Sequence, residues 1–143
     1  MLVSQILKHK GSAVYTCSPL ETVAAAAAVL HSRRVGALVV MDEHDRVVGI
    51  VSERDIVRVI AQQGAMGLQA PVSSCMTRGV IYASPTETVA DLMERMTDRR
   101  IRHLPVCKGD ALIGIVSIGD LVKTKIAETE AEAQELKAYI AQG

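Results

Sequence analysis

The sequence predicts an α/β fold of the α+β type, in which one β-α-β-β-α unit occurs twice. Three segments of the first half recur in the second half in the same order. Within each copy, short β-prone runs alternate with apolar residues at helical spacing. No Gly or Pro stands between Gly119 and Gly143, so the second copy is also expected to end in a long C-terminal helix.

The duplication is visible in three pairs of similar segments. They are residues 18–24 and 84–90, residues 34–40 and 100–106, and residues 49–55 and 114–120. Pro19 and Pro85 lie 66 positions apart, whereas Gly49 and Gly114 lie 65 apart, and a loss of one residue there is typical of a hairpin loop. Two copies at this period favour two units packed as one pseudo-two-fold module over an open array of repeats.

The first copy supplies the elements in order. Residues 14–17 are β-prone and end at Ser18-Pro19, which cannot continue a ladder. Residues 22–33 are Ala-rich with an apolar helical stripe, and their alanines predict a close helix-packing surface. Residues 38–41 and 47–51 predict a hairpin around a polar turn. Ser52 then caps a helix that runs to about residue 63.

The second copy predicts the same order. Strands are expected at residues 80–83, 104–107 and 111–116, a helix at 87–98, and the long helix from Ser117 onward. Residues 64–78 read as a linker with a short turn at 72–76, and residues 2–10 as a short helix. The resulting division is a first motif with its N-terminal helix at 1–66, a linker and second motif at 67–128, and a helical extension at 129–143.

Composition excludes several classes of function. Sixteen basic and sixteen acidic residues give a net charge of +0, which provides no global attraction to nucleic acid or an anionic membrane. No apolar run is long enough to span a bilayer, and the N-terminus lacks a signal-peptide pattern, so a cytoplasmic protein is expected. Three cysteines without CxxC spacing predict small apolar fillers, and the histidines show no metal-ligand spacing.

The recurring Gly-Ile-Val-Ser-x-x-Asp segment places Ser52 and Asp55 at one predicted helix start and Ser117 and Asp120 at the other. One interpretation is a capping box, in which the hydroxyl accepts from a backbone N–H and the acid reaches back. The other is a nucleotide site, because a helix N-terminus favours phosphate and an acid one turn in can accept from ribose hydroxyls. Both interpretations fit the residues.

The order of these features, occurring twice, closely resembles a pair of CBS domains, the family named after cystathionine β-synthase. The resemblance rests on the β-α-β-β-α repeat, the Leu-Pro-Val strand at 104–106, the polar hairpin turn and the two Gly-Ile-Val-Ser-x-x-Asp segments, and it covers roughly residues 1–128. It implies two motifs packed through their sheets, with two symmetry-related clefts for adenosyl ligands such as AMP, ADP, ATP, NAD or S-adenosylmethionine. It also indicates a stand-alone CBS pair, or Bateman module.

The resemblance assigns roles to named positions. Ribose and phosphate contacts fall on Ser52, Asp55, Ser117, Asp120, Arg102, His103 and Arg54. Base pockets fall on Gly79, Ile81 and Ile101 for the cleft of Asp55, and on Ala13, Tyr15 and Val35 for the cleft of Asp120. Gly36 and Ala37 stand where the second copy has Arg102 and His103, so the cleft of Asp55 is expected to hold phosphate better. Two alternatives stay open: Arg102 as part of a solvated helix end, and His103 pointing to solvent.

No catalytic constellation is present, since the sequence contains no nucleophile elbow, P-loop, dinucleotide Gly-rich turn or HExxH helix. The chain is therefore expected to be not an enzyme but a regulatory module, in which an adenosyl ligand changes the arrangement of the motifs. It would need no further cofactor and no metal. Its expected partners are the ligand, a second copy in a homodimer and a target protein. The alternative is a structural, dimerising module with unoccupied clefts.

Overall fold

The structure is a computed structural model that describes residues 1–142, so Gly143, the end of the predicted extension, lies outside the described residues. The helices are α1 (Val3–Lys10), α2 (Val23–Arg33), α3 (Glu53–Gln63), α4 (Val89–Arg99) and α5 (Ile118–Gln142). The strands are β1 (Thr16–Cys17), β2 (Ala37–Met41), β3 (Val47–Ser52), β4 (His103–Lys108) and β5 (Ala111–Ser117). Two 3₁₀ helices, Gly64–Gln69 and Val72–Ser74, occupy the predicted linker. The predicted mixed fold with a long C-terminal helix is confirmed.

The chain forms two compact units. The first unit consists of residues 14–81, and the second unit consists of residues 1–13 together with 82–143. Helix α1 therefore belongs with the second copy of the repeat. The amide of Val3 donates to the carbonyl oxygen of Glu87 at 2.9 Å, and the N-terminal amine lies 3.0 Å from Glu128. The domain boundaries at 1–66, 67–128 and 129–143 follow the repeat instead and remain a prediction.

The first unit is built on a three-stranded sheet in the order β1-β2-β3. Strands β1 and β2 are parallel, and β2 and β3 form the predicted antiparallel hairpin, with Ala37 opposite Ser52. Helix α2 is capped by Thr22, whose hydroxyl accepts from the Ala25 amide at 3.1 Å. The solvent-excluded residues Val23 and Ala26 of α2 pack in the core with the strands, as the Ala-rich stripe predicts.

The second unit contains the antiparallel pair β4-β5. His103 lies opposite Ser117 in this ladder. Its core side chains are fully buried and come from every element of the unit: Val3, Leu92, Leu104, Val106, Val116 and Leu121. With so few aromatic residues in the chain, both units fill their cores with aliphatic side chains, which lose little conformational entropy on burial.

The predicted strand at 80–83 is wrong. Only a parallel bridge between Ala83 and Val106 is present, with Ala83 bonded to Pro105 and Cys107. The reason is visible in the first copy, where the Val39 amide donates to the carbonyl oxygen of Tyr15 at 3.2 Å. The equivalent of Val39 is Pro105, which has no amide hydrogen, so this ladder bond is lost. The first strand is also shorter than predicted, at Thr16–Cys17.

Candidate functional site

Each Ser-x-x-Asp segment lies where a strand passes directly into a helix. Strand β3 ends at Ser52 and α3 begins at Glu53, while β5 ends at Ser117 and α5 begins at Ile118. Ser52 has extended backbone angles, as an N-cap residue requires. The first helical amide of each copy donates to the carbonyl oxygen of the residue just before the first hairpin strand, from Glu53 to Gly36 at 3.0 Å and from Ile118 to Arg102 at 2.8 Å. The two copies thus position their acids in the same local way.

Asp55 is almost completely buried, and its hydrogen bonds come from its own unit. Its Oδ2 accepts from the Ser52 amide at 2.8 Å and from the Ser52 hydroxyl at 3.1 Å. Its Oδ1 accepts from Arg58 Nη2 at 2.7 Å, and the same nitrogen reaches the Cys75 carbonyl oxygen at 3.3 Å. The residue is 5% exposed and is the buried charged residue of the described chain. Hydrogen bonds to both oxygens offset the cost of removing this carboxylate from water.

Asp120 has different surroundings. Its Oδ2 accepts from the Ser117 amide at 2.8 Å, as in the first copy. Its cation comes from α1, because Lys10 Nζ donates to this oxygen at 2.7 Å and also to the Ile115 carbonyl oxygen at 2.7 Å. The Asp120 side chain is 23% exposed against 8% for Asp55. Asp120 is therefore the more accessible of the two carboxylates.

The pKa of Asp120 is held below its ordinary value of 3.8. Burial acts in the opposite direction and is the largest single influence, because a charge is less stable away from water. The hydrogen bond and charge of Lys10 and the bond from the Ser117 amide together outweigh it. Asp120 is consequently an anion at neutral pH and can only accept hydrogen bonds.

The capping-box interpretation is confirmed at both helix starts. Ser52 accepts from the Asp55 amide at 3.3 Å and Ser117 from the Asp120 amide at 3.1 Å, while each acid accepts from the serine amide. Capping does not exclude a ligand, because a carboxylate has room for about four hydrogen bonds. The ribose roles of the two serines and two acids stay predictions.

The repeated Gly has a structural explanation. A Cβ at Gly49 would lie 2.7 Å from Met76 Sδ and 2.8 Å from the Thr77 carbonyl oxygen. A Cβ at Gly114 would lie 2.6 Å from a methyl carbon of Leu7. Residues 76–77 follow the first copy and pack on its Gly49, whereas Leu7 precedes the first copy and packs on Gly114 of the second. Close approach of the Thr77 backbone and the Met76 side chain at Gly49, and of the Leu7 side chain at Gly114, explains why a side chain does not fit at either position.

The predicted phosphate groups lie in different units. In the second unit, Arg102 immediately precedes β4 and His103 is the first residue of β4. Both lie beside the start of α5, because the Arg102 carbonyl oxygen accepts from the Ile118 amide and His103 is opposite Ser117. The Arg102 side chain is exposed and His103 is half-buried. Arg54 is exposed in the first turn of α3, in the first unit. The structure thus brings Arg102 and His103 to the helix that carries Asp120.

The predicted base-pocket residues are likewise divided. Tyr15 and Val35 are half-buried against the core of the first unit. Gly79, which is exposed, and Ile81, which is half-buried, belong to the same unit. Ala13 and Ile101 belong to the second unit, the former exposed and the latter half-buried. Each predicted pocket therefore draws on both units and remains a prediction.

The cysteines and the candidate metal ligands can be described within residues 1–142. Cys17, Cys75 and Cys107 are free, and burial, followed by the charge of Glu21, raises the pKa of Cys17 to about 11. Such a thiol is unreactive at neutral pH. Within residues 1–142, no group of three His, Cys, Asp or Glu side chains is arranged to hold a metal ion. Over the same residues, no helix is both long enough and apolar enough to cross a membrane.

Two site residues were missed in the sequence. Lys10 is 110 positions from Asp120 and lies outside the repeated segments, so no local pattern indicates it. Arg58 follows Asp55 by three residues, and this spacing on a helix is a usable signal for an ion pair. Its equivalent in the second copy, Lys123, has no ion pair with Asp120 among the described residues; there Lys10 supplies the cation instead.

Comparison with known sequences agrees with the repeat. A model of the CBS domain family matches residues 3–62 and 72–126, which is most of the chain. The mitochondrial CBS domain-containing protein CBSX3 of Arabidopsis thaliana is 38% identical over 149 residues, covering 99% of this chain and 72% of the relative. An uncharacterized 33.4 kDa protein of Thermofilum pendens is 40% identical over 118 residues, although the chain spans only 37% of that relative.

Solved structures match across both units. The CBS-domain containing protein ATU1752 from Agrobacterium tumefaciens has a TM-score of 0.85 and 44% identity, covering 87% of this chain and 92% of that one. The CBS domain pair of MJ0100, in complex with 5′-methylthioadenosine and S-adenosyl-L-methionine, has a TM-score of 0.80 and 27% identity, covering 90% and 98%. PAE2072 from Pyrobaculum aerophilum, complexed with AMP, has a TM-score of 0.75 and 30% identity, covering 84% and 89%. The resemblance seen in the sequence is confirmed, and this chain belongs to the CBS domain family, with two CBS domains in tandem.

Proposed function

We propose that this protein is a regulatory module that binds an adenosyl ligand and does not catalyse a reaction. The chain carries two CBS domains, and pairs of CBS domains at 27% and 30% identity have been solved with adenosyl compounds or AMP. The candidate ligands are AMP, ADP, ATP, NAD and S-adenosylmethionine. No further cofactor is proposed.

The observation that carries this proposal is the partly exposed, anionic Asp120 at the start of α5. Its Oδ2 is held by the Ser117 amide and Lys10, and a carboxylate has room for further hydrogen-bond donors. Ribose hydroxyls donate well to such a carboxylate. The first amides of a helix also have no partners within the helix, and they attract phosphate. An adenosyl ribose at Asp120 would thus meet an acceptor that is already ionised and positioned.

Basic residues that could contact phosphate lie in the same unit. Arg102 and His103 lie beside the start of α5, and Lys10 is within hydrogen-bond distance of Asp120 itself. We therefore assign the stronger phosphate preference to Asp120. This differs from the expectation, based on the family resemblance, that Arg102 and His103 serve the cleft of Asp55.

Regulation follows if the ligand binds one arrangement of the protein better than another, since only a differential affinity shifts an equilibrium. We propose that the shifted arrangement is read by a target protein or within a homodimer. A reducing compartment such as the cytoplasm suits three free cysteines.

The test is calorimetric titration of each candidate ligand into the protein, with three Asp→Asn variants in parallel. Asp120→Asn is expected to weaken binding at least tenfold, and Asp55→Asn to change it less. Asp91→Asn is the matched control, because Asp91 stands at the same position of the capped start of α4. Binding of no candidate at millimolar concentration, or equal affinity in Asp120→Asn and Asp91→Asn, would refute the proposal.

A second candidate function is an assembly module with empty clefts. The observation that favours it is Asp55, whose two oxygens are both bonded within the first unit and whose side chain is only 8% exposed. Such an acid has a structural role without any ligand. If no ligand binds but the protein is a stable dimer by sedimentation, this second function is the better account.

A further inference from the structure

Helix α5 continues well beyond the body of its unit. It spans 25 residues, and from residue 125 onward every described position is exposed except Glu128, which pairs with the N-terminal amine. The residues that anchor the helix, Leu121, Thr124 and Glu128, are the less exposed ones and lie on one face. The other faces of the helix have no partner among the described residues.

An apolar line follows a different face of this helix. We name it the α5 seam, and it consists of Val122, Ile126, Thr129, Ala133, Leu136 and Ile140. Thr129 is its one polar member, and its hydroxyl donates to the Lys125 carbonyl oxygen at 2.9 Å. The steps between these residues alternate between four and three, which is the a/d pattern of a coiled coil. At 3.6 residues per turn, the α5 seam lies about a third of a turn around the helix from the anchoring face. The anchored helix therefore leaves the α5 seam open.

The exposure of the α5 seam is large for apolar side chains. Ile126 is 54% exposed, Leu136 59% and Ile140 66%. Tyr139, beside the seam, is 77% exposed. A single exposed apolar residue on a surface is ordinary, but a continuous apolar line on a free helix indicates an interaction surface.

The charges beside the α5 seam identify its occupant. In the heptad set by the seam, Lys125 and Glu132 stand at g positions, and Glu130 and Lys137 at e positions. In a parallel pair of identical helices, each g residue faces the e residue five positions later on the other chain. Lys125 then faces Glu130 of the partner subunit, and Glu132 faces Lys137 of the partner subunit. All four charged positions meet an opposite charge in both directions.

The antiparallel arrangement is less complementary. There, e positions face e positions and g positions face g positions. With Ala133 packed against Leu136 of the partner subunit, Glu130 would face Lys137 of the partner subunit, but Glu132 would face Tyr139 of the partner subunit and Lys125 would have no opposite charge. The parallel arrangement pairs these four charges and leaves only Lys123, the remaining charged e position, without an opposite charge, so the sequence favours a parallel pair.

We infer that α5 docks on α5 of a second copy of this chain as a parallel two-stranded coiled coil along the α5 seam. A coil of fewer than three heptads is short. It forms more readily between two chains that already associate elsewhere, because the first contact raises the effective concentration for the second. This inference does not depend on ligand binding and is tested separately from it.

The experiment is disulfide cross-linking of the full chain. Leu136→Cys places a thiol at a d position, where identical residues of a parallel pair approach within reach of a disulfide. Gln134→Cys, two residues away on an exposed face outside the seam, is the matched control, and the unaltered chain reports on its own three cysteines. Mild oxidation is expected to give at least tenfold more covalent dimer from Leu136→Cys than from either control.

Two outcomes would overturn the inference. Equal cross-linking of Leu136→Cys and Gln134→Cys would show that the α5 seam is not paired. A covalent dimer formed only when Ala133→Cys is mixed with Leu136→Cys would show an antiparallel pair instead. A second measurement uses charge reversal. In a chain that carries Leu136→Cys, adding Lys125→Glu and Lys137→Glu should lower cross-linking severalfold. Mixing this chain with one that carries Leu136→Cys, Glu130→Lys and Glu132→Lys should restore it.

Discussion

Replacing Lys10 by Met should destabilise the protein measurably, although Lys10 lies at the end of a short helix. The substitution keeps the apolar stem and removes the ammonium group that bonds Asp120 and the Ile115 carbonyl oxygen, each at 2.7 Å. The Coulomb attraction at 2.7 Å is about 6 kcal/mol at an effective dielectric constant near 20. Desolvation of both groups and the ordering of a long side chain offset most of it.

The net loss can be bounded from exposure. The two side chains are 30% and 23% exposed, so the pair lies between a surface ion pair, worth at most about 1 kcal/mol, and a hydrogen bond to a charged group, worth about 1.5–3 kcal/mol. We expect about 1–2 kcal/mol, which lowers the melting temperature by roughly 3–7 °C for a chain of this size.

The loss should depend on pH in a defined direction. Because folding lowers the pKa of Asp120, the folded state binds fewer protons than the unfolded state near the ordinary value of 3.8. The stabilisation by Lys10 is therefore fully present above that value and disappears as the pH falls through the lowered pKa. The difference in stability between the unaltered protein and Lys10→Met should be largest at neutral pH and should close in acid.

Thermal unfolding followed by circular dichroism at several pH values measures both effects. Lys8→Met is the control, because it removes the same charge from the same helix at an exposed position without a hydrogen bond among the described residues. Equal melting temperatures for Lys10→Met and Lys8→Met at pH 7 would refute the reasoning. So would a difference between them that persists undiminished in acid.

Three further predictions use contrasts within the chain. Gly49→Ala should lower the free energy of unfolding by about 2–3 kcal/mol, because the new Cβ meets a backbone oxygen at 2.8 Å. Gly114→Ala should lower it by about 1 kcal/mol, because its Cβ meets a leucine methyl that can move. Equal losses in denaturant unfolding would contradict this. Arg58→Met should cost about 1–2 kcal/mol by leaving the buried Asp55 without its cation, whereas Arg54→Met should change unfolding by less than about 0.5 kcal/mol. Alkylation of the native protein at pH 8 should label Cys17, with its pKa raised to about 11, more slowly than the half-buried Cys107, and mass spectrometry showing Cys17 labelled first would contradict it.

The sequence was sufficient where the determining interactions are local. The hairpins, the helix caps and the length of α5 depend on neighbouring residues, and Ser52 and Ser117 occupy the predicted capping positions. It was insufficient where a distant residue decides. The predicted strand at 80–83 does not form, because Pro105 lacks an amide hydrogen for its parallel partner. The effect of a Pro in β4 cannot be predicted before the strand pairing is known. Lys10 was missed for the same reason, since only packing brings α1 to β5.

The duplication preserved the cap at both helix starts but not the source of the cation. Asp55 receives its cation from Arg58, one turn along the same helix, so the pair forms with its helix and encloses the acid. Asp120 receives its cation from α1, a separate element, so Lys10 can leave without unwinding α5. Any ligand that bonds Asp120 Oδ2 has to compete with Lys10, whereas one that carries phosphate can keep Lys10 as a contact. If the proposed adenosyl ligand binds at Asp120, this difference would favour phosphate-bearing compounds over adenosine there, and α1 would be the element of the second unit most directly coupled to ligand binding.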